Sequence, residues 1–163
     1  MIYMLGGIVI FDSNVESTSM QVGFKGSLRM ETRLISPCGL NCRLCRAYIR
    51  ERNTCPGCRI ESVPKPKTRI RCEIKTCTRR KSVQQKLCSF CSEFPCRPLK
   101  RLDKRYRTKY AVSPIANLER IKAVGVRKFV VEERGRWLCQ RCDSVLCMHE
   151  AQCVNCGKSR RDG

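Results

Sequence analysis

A chain of 163 residues with 15 cysteines and a formal net charge of +20 suits one domain or two small ones, and it excludes a protein held together by a large apolar core alone. The cysteine count is odd, and ten of the fifteen stand in C-x-x-C pairs, which favours metal ligation over a disulfide framework. The basic excess makes a nearby anionic partner, most simply RNA or DNA, the simplest reading.

In chain order, Met1 to Phe11 is apolar, but Asp12 and Glu16 follow at once and no basic n-region precedes it. It reads neither as a secretion signal nor as a membrane span. Residues 1–30 are neutral overall and lack a steady period, so they are expected to be a flexible or artefactual extension, with Met20 and Met30 as alternative starts.

Residues 31–100 form a cysteine-rich metal-binding domain with 17 basic and 5 acidic side chains. Asn41 to Arg52 is predicted as one short helix capped by Asn41, with Leu44, Tyr48 and Ile49 on a face. Val63-Pro64-Lys65-Pro66-Lys67 is predicted as an extended basic loop, because the prolines remove two backbone donors.

Residues 101–135 hold 10 basic and 4 acidic residues, no cysteine, and a helical pattern. A helix from Pro98 to Tyr110 carries Leu99, Leu102, Tyr106 and Tyr110 on one side and cations on most of the rest. A second starts at Ser113-Pro114 as N-cap and first position, with Ile115, Leu118, Ile121 and Val124 as its stripe and Gly125 as its stop. A third, Val126 to Arg134, presents Val126, Phe129, Val130 and Glu133.

Residues 136–158 then read as a C-terminal zinc-ribbon-like module, and residues 159–163 as a polar tail. The spacing Cys139-x2-Cys142-x10-Cys153-x2-Cys156 brings two knuckles to one ion. By the same logic Cys42, Cys45, Cys55 and Cys58 make a second site. Cys88 and Cys91 would take partners from Cys72, Cys77 and Cys96. Cys38, Cys147 and His149 are further candidates. Two or three zinc ions are thus expected; three Zn(Cys)4 sites would lower the charge to about +14. Cys38-x3-Cys42-x2-Cys45 also has the spacing of a [4Fe–4S] ligand set, so a cluster within residues 38–96 is the alternative.

Ser36-Pro37-Cys38-Gly39-Leu40-Asn41-Cys42-x-x-Cys45, followed by Cys55-Pro56-Gly57-Cys58-Arg59, Cys72, Cys77 and Cys88-x-x-Cys91-x-x-Phe94-Pro95-Cys96, resembles the small bacterial and archaeal proteins catalogued as domain of unknown function 3795. The similarity runs from about Ile35 to Leu99 and is expected to extend through Asn117-Leu118 to the last Cys-x-x-Cys-Gly. The resemblance implies a cytoplasmic, metal-binding protein, and it supplies no catalytic residues.

The expected fold is a small metal-stabilised α+β or irregular cysteine-rich one, zinc knuckles with short helices. The expected function is a zinc-stabilised intracellular binding module whose basic surface takes RNA, single-stranded DNA or a ribonucleoprotein. Arg101, Lys104, Arg105 and Arg107 would contact phosphate. Phe90, Phe94, Tyr106 and Tyr110 would either stack on bases or fill the core. The alternative is an iron–sulfur or thiol-based redox protein, in which Arg43, Arg46, Arg79 and Arg80 would favour thiolates. A hydrolytic zinc enzyme is not expected: the chain has a single histidine, and all-sulfur sites leave no open metal position.

Overall fold

The computed structural model describes residues 28–61 and 70–160. The N-terminal extension up to residue 27, the Val63–Lys67 stretch and residues 161–163 lie outside the described residues. The architecture is mostly helical. Helix α1 (Leu28–Arg33) is followed by a 3-10 turn at Cys42–Leu44 and by α2 (Arg46–Ile49). Then come α3 (Glu73–Thr76), α4 (Thr78–Ser82) and 3-10 turns at Gln84–Lys86 and Cys88–Phe90. Three longer helices complete the body: α5 (Arg97–Tyr110), α6 (Pro114–Val124) and α7 (Val126–Arg136).

Two expectations change. The α+β reading loses its β part: among the described residues the strand pairing consists of isolated bridges, Ile35 with Asn41, Leu138 with Val145 and Gln152 with Ser159. Each spans a tight turn whose residues bend back too soon for a ladder to propagate. The single helix over Asn41–Arg52 is broken at Cys45, which is extended (φ −84, ψ 132). Asn41 does cap the first turn, its side chain accepting from the Arg43 N–H at 3.1 Å.

The longer helices follow their apolar stripes. Leu99, Leu118, Ile121, Phe129 and Val130 join Ile35, Ile74, Leu87 and Cys88 in one buried cluster. Phe90 and Phe94, each half-buried, pack against it. A second cluster draws Leu40 and Leu44 from the first cysteine-rich segment, Tyr106 from α5, and Trp137, Leu146, Met148 and Cys153 from the C-terminal segment. The basic helical segment is therefore sandwiched between two cysteine-bearing regions that share its hydrophobic contacts.

Buried polar groups fix these elements. Asp103, 5 % exposed, accepts from the Ser113 hydroxyl (2.6 Å) and the Ile115 N–H (3.2 Å) and pairs with Arg107 (2.8 Å). The same Ser113 hydroxyl caps α6 by accepting from the Ala116 N–H at 3.0 Å. Glu31, equally secluded on α1, takes two bonds of 2.8 Å from Arg134 of α7. We expect Asp103→Ala to lower stability by about 2 kcal/mol, since it strands the Ser113 hydroxyl and the Ile115 amide, while the exposed Arg107 guanidinium stays solvated. A urea midpoint indistinguishable from wild type would show that the α5–α6 corner does not depend on this carboxylate.

Candidate metal centre

The C-terminal segment makes one turn twice. In the first, the Leu138–Val145 bridge closes a loop in which the Cys139 N–H donates to the Ser144 carbonyl (2.9 Å) and the Asp143 N–H to the Cys139 carbonyl (2.8 Å). In the second, the Gln152–Ser159 bridge closes a loop in which the Cys153 N–H donates to the Lys158 carbonyl (2.8 Å) and the Gly157 N–H to the Cys153 carbonyl (2.9 Å). The residue after each second cysteine is left-handed, Asp143 at φ 54 and Gly157 at φ 73. That conformation turns backbone donors back toward the sulfurs, and glycine and aspartate are residue types that tolerate it.

The two loops face each other, and the four Sγ atoms of Cys139, Cys142, Cys153 and Cys156 lie within 4.8 Å of one another. Cys139 and Cys156 approach to 3.5 Å, Cys142 and Cys153 to 3.7 Å. A tetrahedron of metal–sulfur bonds of about 2.3 Å has edges of about 3.8 Å, so the set is already spaced for one ion. None of the fifteen cysteines is in a disulfide. The surroundings favour thiolate: the Ser144 hydroxyl, then the Asn155 side chain and the Ser144 N–H, hold Cys142 down at about 5. Backbone donors from Arg141 and Cys142 lower Cys139 as well. Cys156 receives the Lys158 N–H, which lowers it, yet burial and then the neighbouring sulfurs push it up to about 11, so its proton is best displaced by a cation. Cys139 and Cys153 are buried and the other two half-buried, and four sulfurs are the full ligand set of a tetrahedral structural site.

Among the described residues, this is where ligand atoms converge so tightly. The first-block cysteines are placed differently. Cys42, Cys45, Cys55 and Cys58 line a common cavity together with Cys38 and Cys72. Burial, then the neighbouring Cys58, pushes the Cys38 thiol up to about 11. Cys88 is pushed to about 12 by burial, with Cys38, Cys96 and Cys77 adding to it. Cys91 is half-buried at the end of the Cys88–Phe90 turn. Cys147 is 2 % exposed, and burial raises its thiol.

His149 stands outside the tetrad and bridges elements. The Arg46 N–H donates to its Nδ1 at 3.3 Å, which leaves Nε2 to carry the proton and donate toward the Tyr106 hydroxyl at 3.3 Å. Tyr106 and Tyr110 meet its ring edge-on, at 5.8 and 4.7 Å between centroids. All four expected phosphate contacts, Arg101, Lys104, Arg105 and Arg107, are exposed on α5. Arg101 pairs with Glu73 (2.8 Å) and Arg107 with Asp103, so the helix relieves part of its self-repulsion internally. The Arg105 guanidinium lies 5.7 Å from the Tyr106 ring centre. What sequence reasoning missed is a cleft beside these residues. Arg46 and Arg50 of the α2 region face Arg105 and Lys109 of α5 across about 400 Å³, with Tyr106, Tyr110 and His149 in the wall. Two Arg/Lys pairs at i, i+4 were its only local signal.

Among the described residues no helix is long and apolar enough to cross a membrane. No curated protein and no solved structure matches the chain. Residues 34–101 match a family model, and that stretch contains ten of the fifteen cysteines and ends within α5, short of the tetrad. That match, over less than half of the chain, supports assigning residues 34–101 to the family described as Protein of unknown function (DUF3795).

Proposed function

We propose that the protein is a zinc-stabilised binding module for single-stranded nucleic acid, with the ion held by Cys139, Cys142, Cys153 and Cys156 in a zinc-ribbon-like arrangement. The observation that carries the binding reading is the cleft between α2 and α5. Among the described residues four cations line it, one of them, Arg46, paired with Glu150 at 2.6 Å, and Tyr106, Tyr110 and His149 form its wall. Cations that track a backbone are what an unpaired strand requires, and the half-buried Tyr110 and His149 are the rings left to meet a base, Tyr106 being 6 % exposed and part of the core. The sulfur spacing supports the metal: 3.5 and 3.7 Å suit an all-thiolate zinc, and a closed site of this kind is structural, not catalytic. The metal serves the cleft through His149, which sits in the loop between the knuckles and touches both Arg46 and Tyr106.

A labelled RNA of about a dozen nucleotides, followed by fluorescence anisotropy against salt, tests this. Arg105→Gln with Lys109→Gln should weaken binding about tenfold and flatten the log–log salt slope by about 1.4, or about 0.7 for each phosphate no longer neutralised. Arg101→Gln with Lys104→Gln, on the same helix but outside the cleft, should cost less than threefold. Equal effects of the two pairs would reduce the interaction to diffuse attraction and remove the cleft as its site.

A further inference from the structure

The first cysteine-rich segment holds a second arrangement of sulfur that pairing of C-x-x-C knuckles does not describe. Six thiols, those of Cys38, Cys42, Cys45, Cys55, Cys58 and Cys72, line one cavity of about 230 Å³. Cys38 and Cys72 come from outside the two knuckles, the one ahead of the first and the other 14 positions beyond the second. The remaining lining is chemically soft or neutral. Met148 supplies a thioether, His149 an imidazole and Arg105 a cation, and among the described residues no carboxylate takes part. Donor sets of this kind select soft metals and disfavour calcium or magnesium.

From these sulfurs and their cavity we propose that the segment holds a binuclear thiolate-bound centre of zinc or a similar soft divalent ion, with the six cysteines as its ligands. The count closes. Two tetrahedral ions need eight metal–sulfur bonds; four terminal thiolates supply one each and two bridging thiolates supply two each. A single ion would leave two of the six thiols without a role, as would a cubane cluster with four cysteine ligands. The six sulfurs surround a shared volume, but among the described residues no three of them lie within 4.8 Å of one another, so the cavity must contract around the ions to bring four sulfurs to each. Second contacts around the sulfurs are in position. The Cys58 N–H points at the Cys42 Sγ from 3.3 Å, and the Ser36 hydroxyl lies 3.0 Å from the Cys38 Sγ. Donors of this sort orient and stabilise metal-bound thiolates. Two divalent cations against six thiolates leave a local charge of about −2, which Arg105 at the cavity wall partly offsets. This site is separate from the tetrad and does not depend on the nucleic-acid reading.

The test is metal stoichiometry of the full chain, made anaerobically with zinc and iron both supplied, by native mass spectrometry and elemental analysis. Wild type should carry at least three zinc ions, one in the tetrad and two in the cavity. Cys42→Ser with Cys58→Ser should lose two of them and keep the tetrad ion. Cys72→Ser, whose exposed side chain supports no core, should fold and lose at least one, and it decides the matter if the double variant does not fold. Fewer than three metals in wild type, unchanged metal content in Cys72→Ser, a loss of one or none in a folded double variant, or iron with acid-labile sulfide lost in place of zinc would each overturn the binuclear centre.

Discussion

Cys153→Ser is expected to dismantle more than the knuckle it sits in. The residue is 2 % exposed and belongs to the same apolar cluster as Leu40, Leu44, Tyr106, Trp137 and Met148. A structural zinc bound by thiolates contributes on the order of 10–16 kcal/mol, which equals or exceeds the whole stability of a domain of this size. Removing one ligand should therefore release the ion and melt residues 137–160. The exposed ends of α5 and the Leu40–Leu44 stretch should loosen with them. The cluster built on Leu99, Leu118, Ile121, Phe129 and Val130 contains no tetrad residue, so α6 and α7 should keep much of their helical signal. Trp137 is the only tryptophan and lies 7 % exposed between the two regions, so its emission is the readout. A red shift with loss of one zinc, and partial retention of helical circular dichroism, is the expected result. The same shift should follow chelation of wild type. Unchanged Trp137 emission with a melting temperature within a few degrees of wild type would mean that the second core stands without its metal.

Gly39→Ala should also be damaging, for a steric reason. Gly39 sits at φ +85, and a Cβ there would fall 2.6 Å from the Pro114 carbonyl oxygen and 2.7 Å from the Leu118 Cγ. One neighbour is backbone at the start of α6 and the other is a completely buried side chain, so neither can yield cheaply. The Gly39 carbonyl is also held by the Asn117 side chain at 3.0 Å, which fixes the loop against the helix. Left-handed strain of about 1 kcal/mol plus overpacking of about 1–3 kcal/mol gives a loss of about 2–4 kcal/mol. Two companion substitutions set the scale. Gly157→Ala, at φ +73 but with no atom within 4 Å, should cost only the backbone part, about 1 kcal/mol. Gly135→Ala, inside α7 with nothing near its Cβ, should raise stability by up to about 1 kcal/mol. Denaturant midpoints that failed to rank in this order would show that the Gly39 loop does not dock on α6 as described.

The helical half of the molecule was readable because its signals are local. Ser113-Pro114, Gly125 and the 3–4 spacing of Leu118 and Ile121 each act within a turn or two, and α5 to α7 follow them closely. The tetrad was readable for a similar reason, since two short knuckles separated by ten residues can meet only in a few ways. The break at Cys45 was not. Leu44, Tyr48 and Ile49 satisfy a helical stripe, and only the tertiary contacts of that segment, such as the Met148 N–H on the Leu44 carbonyl at 2.8 Å, set against it. Asp103 looked like one charge among many on a basic helix; its burial depends on where α6 turns back. The cleft was invisible because its walls lie far apart in the chain. Arg46 and His149 are 103 positions apart, and no periodicity spans that distance.

The position of His149 has a thermodynamic consequence. Its ring takes a backbone proton from Arg46 and gives one toward Tyr106, while its own peptide belongs to the loop that joins the two metal-binding turns. Any ligand that orders Arg46, Tyr106 and Tyr110 around itself also orders that loop, and the loop's order is what zinc requires. The two affinities are then bound by reciprocity: the factor by which zinc tightens an anion in the cleft is the factor by which that anion tightens zinc. On the reading proposed above, a strand bound in the cleft would help retain the ion when metal is scarce.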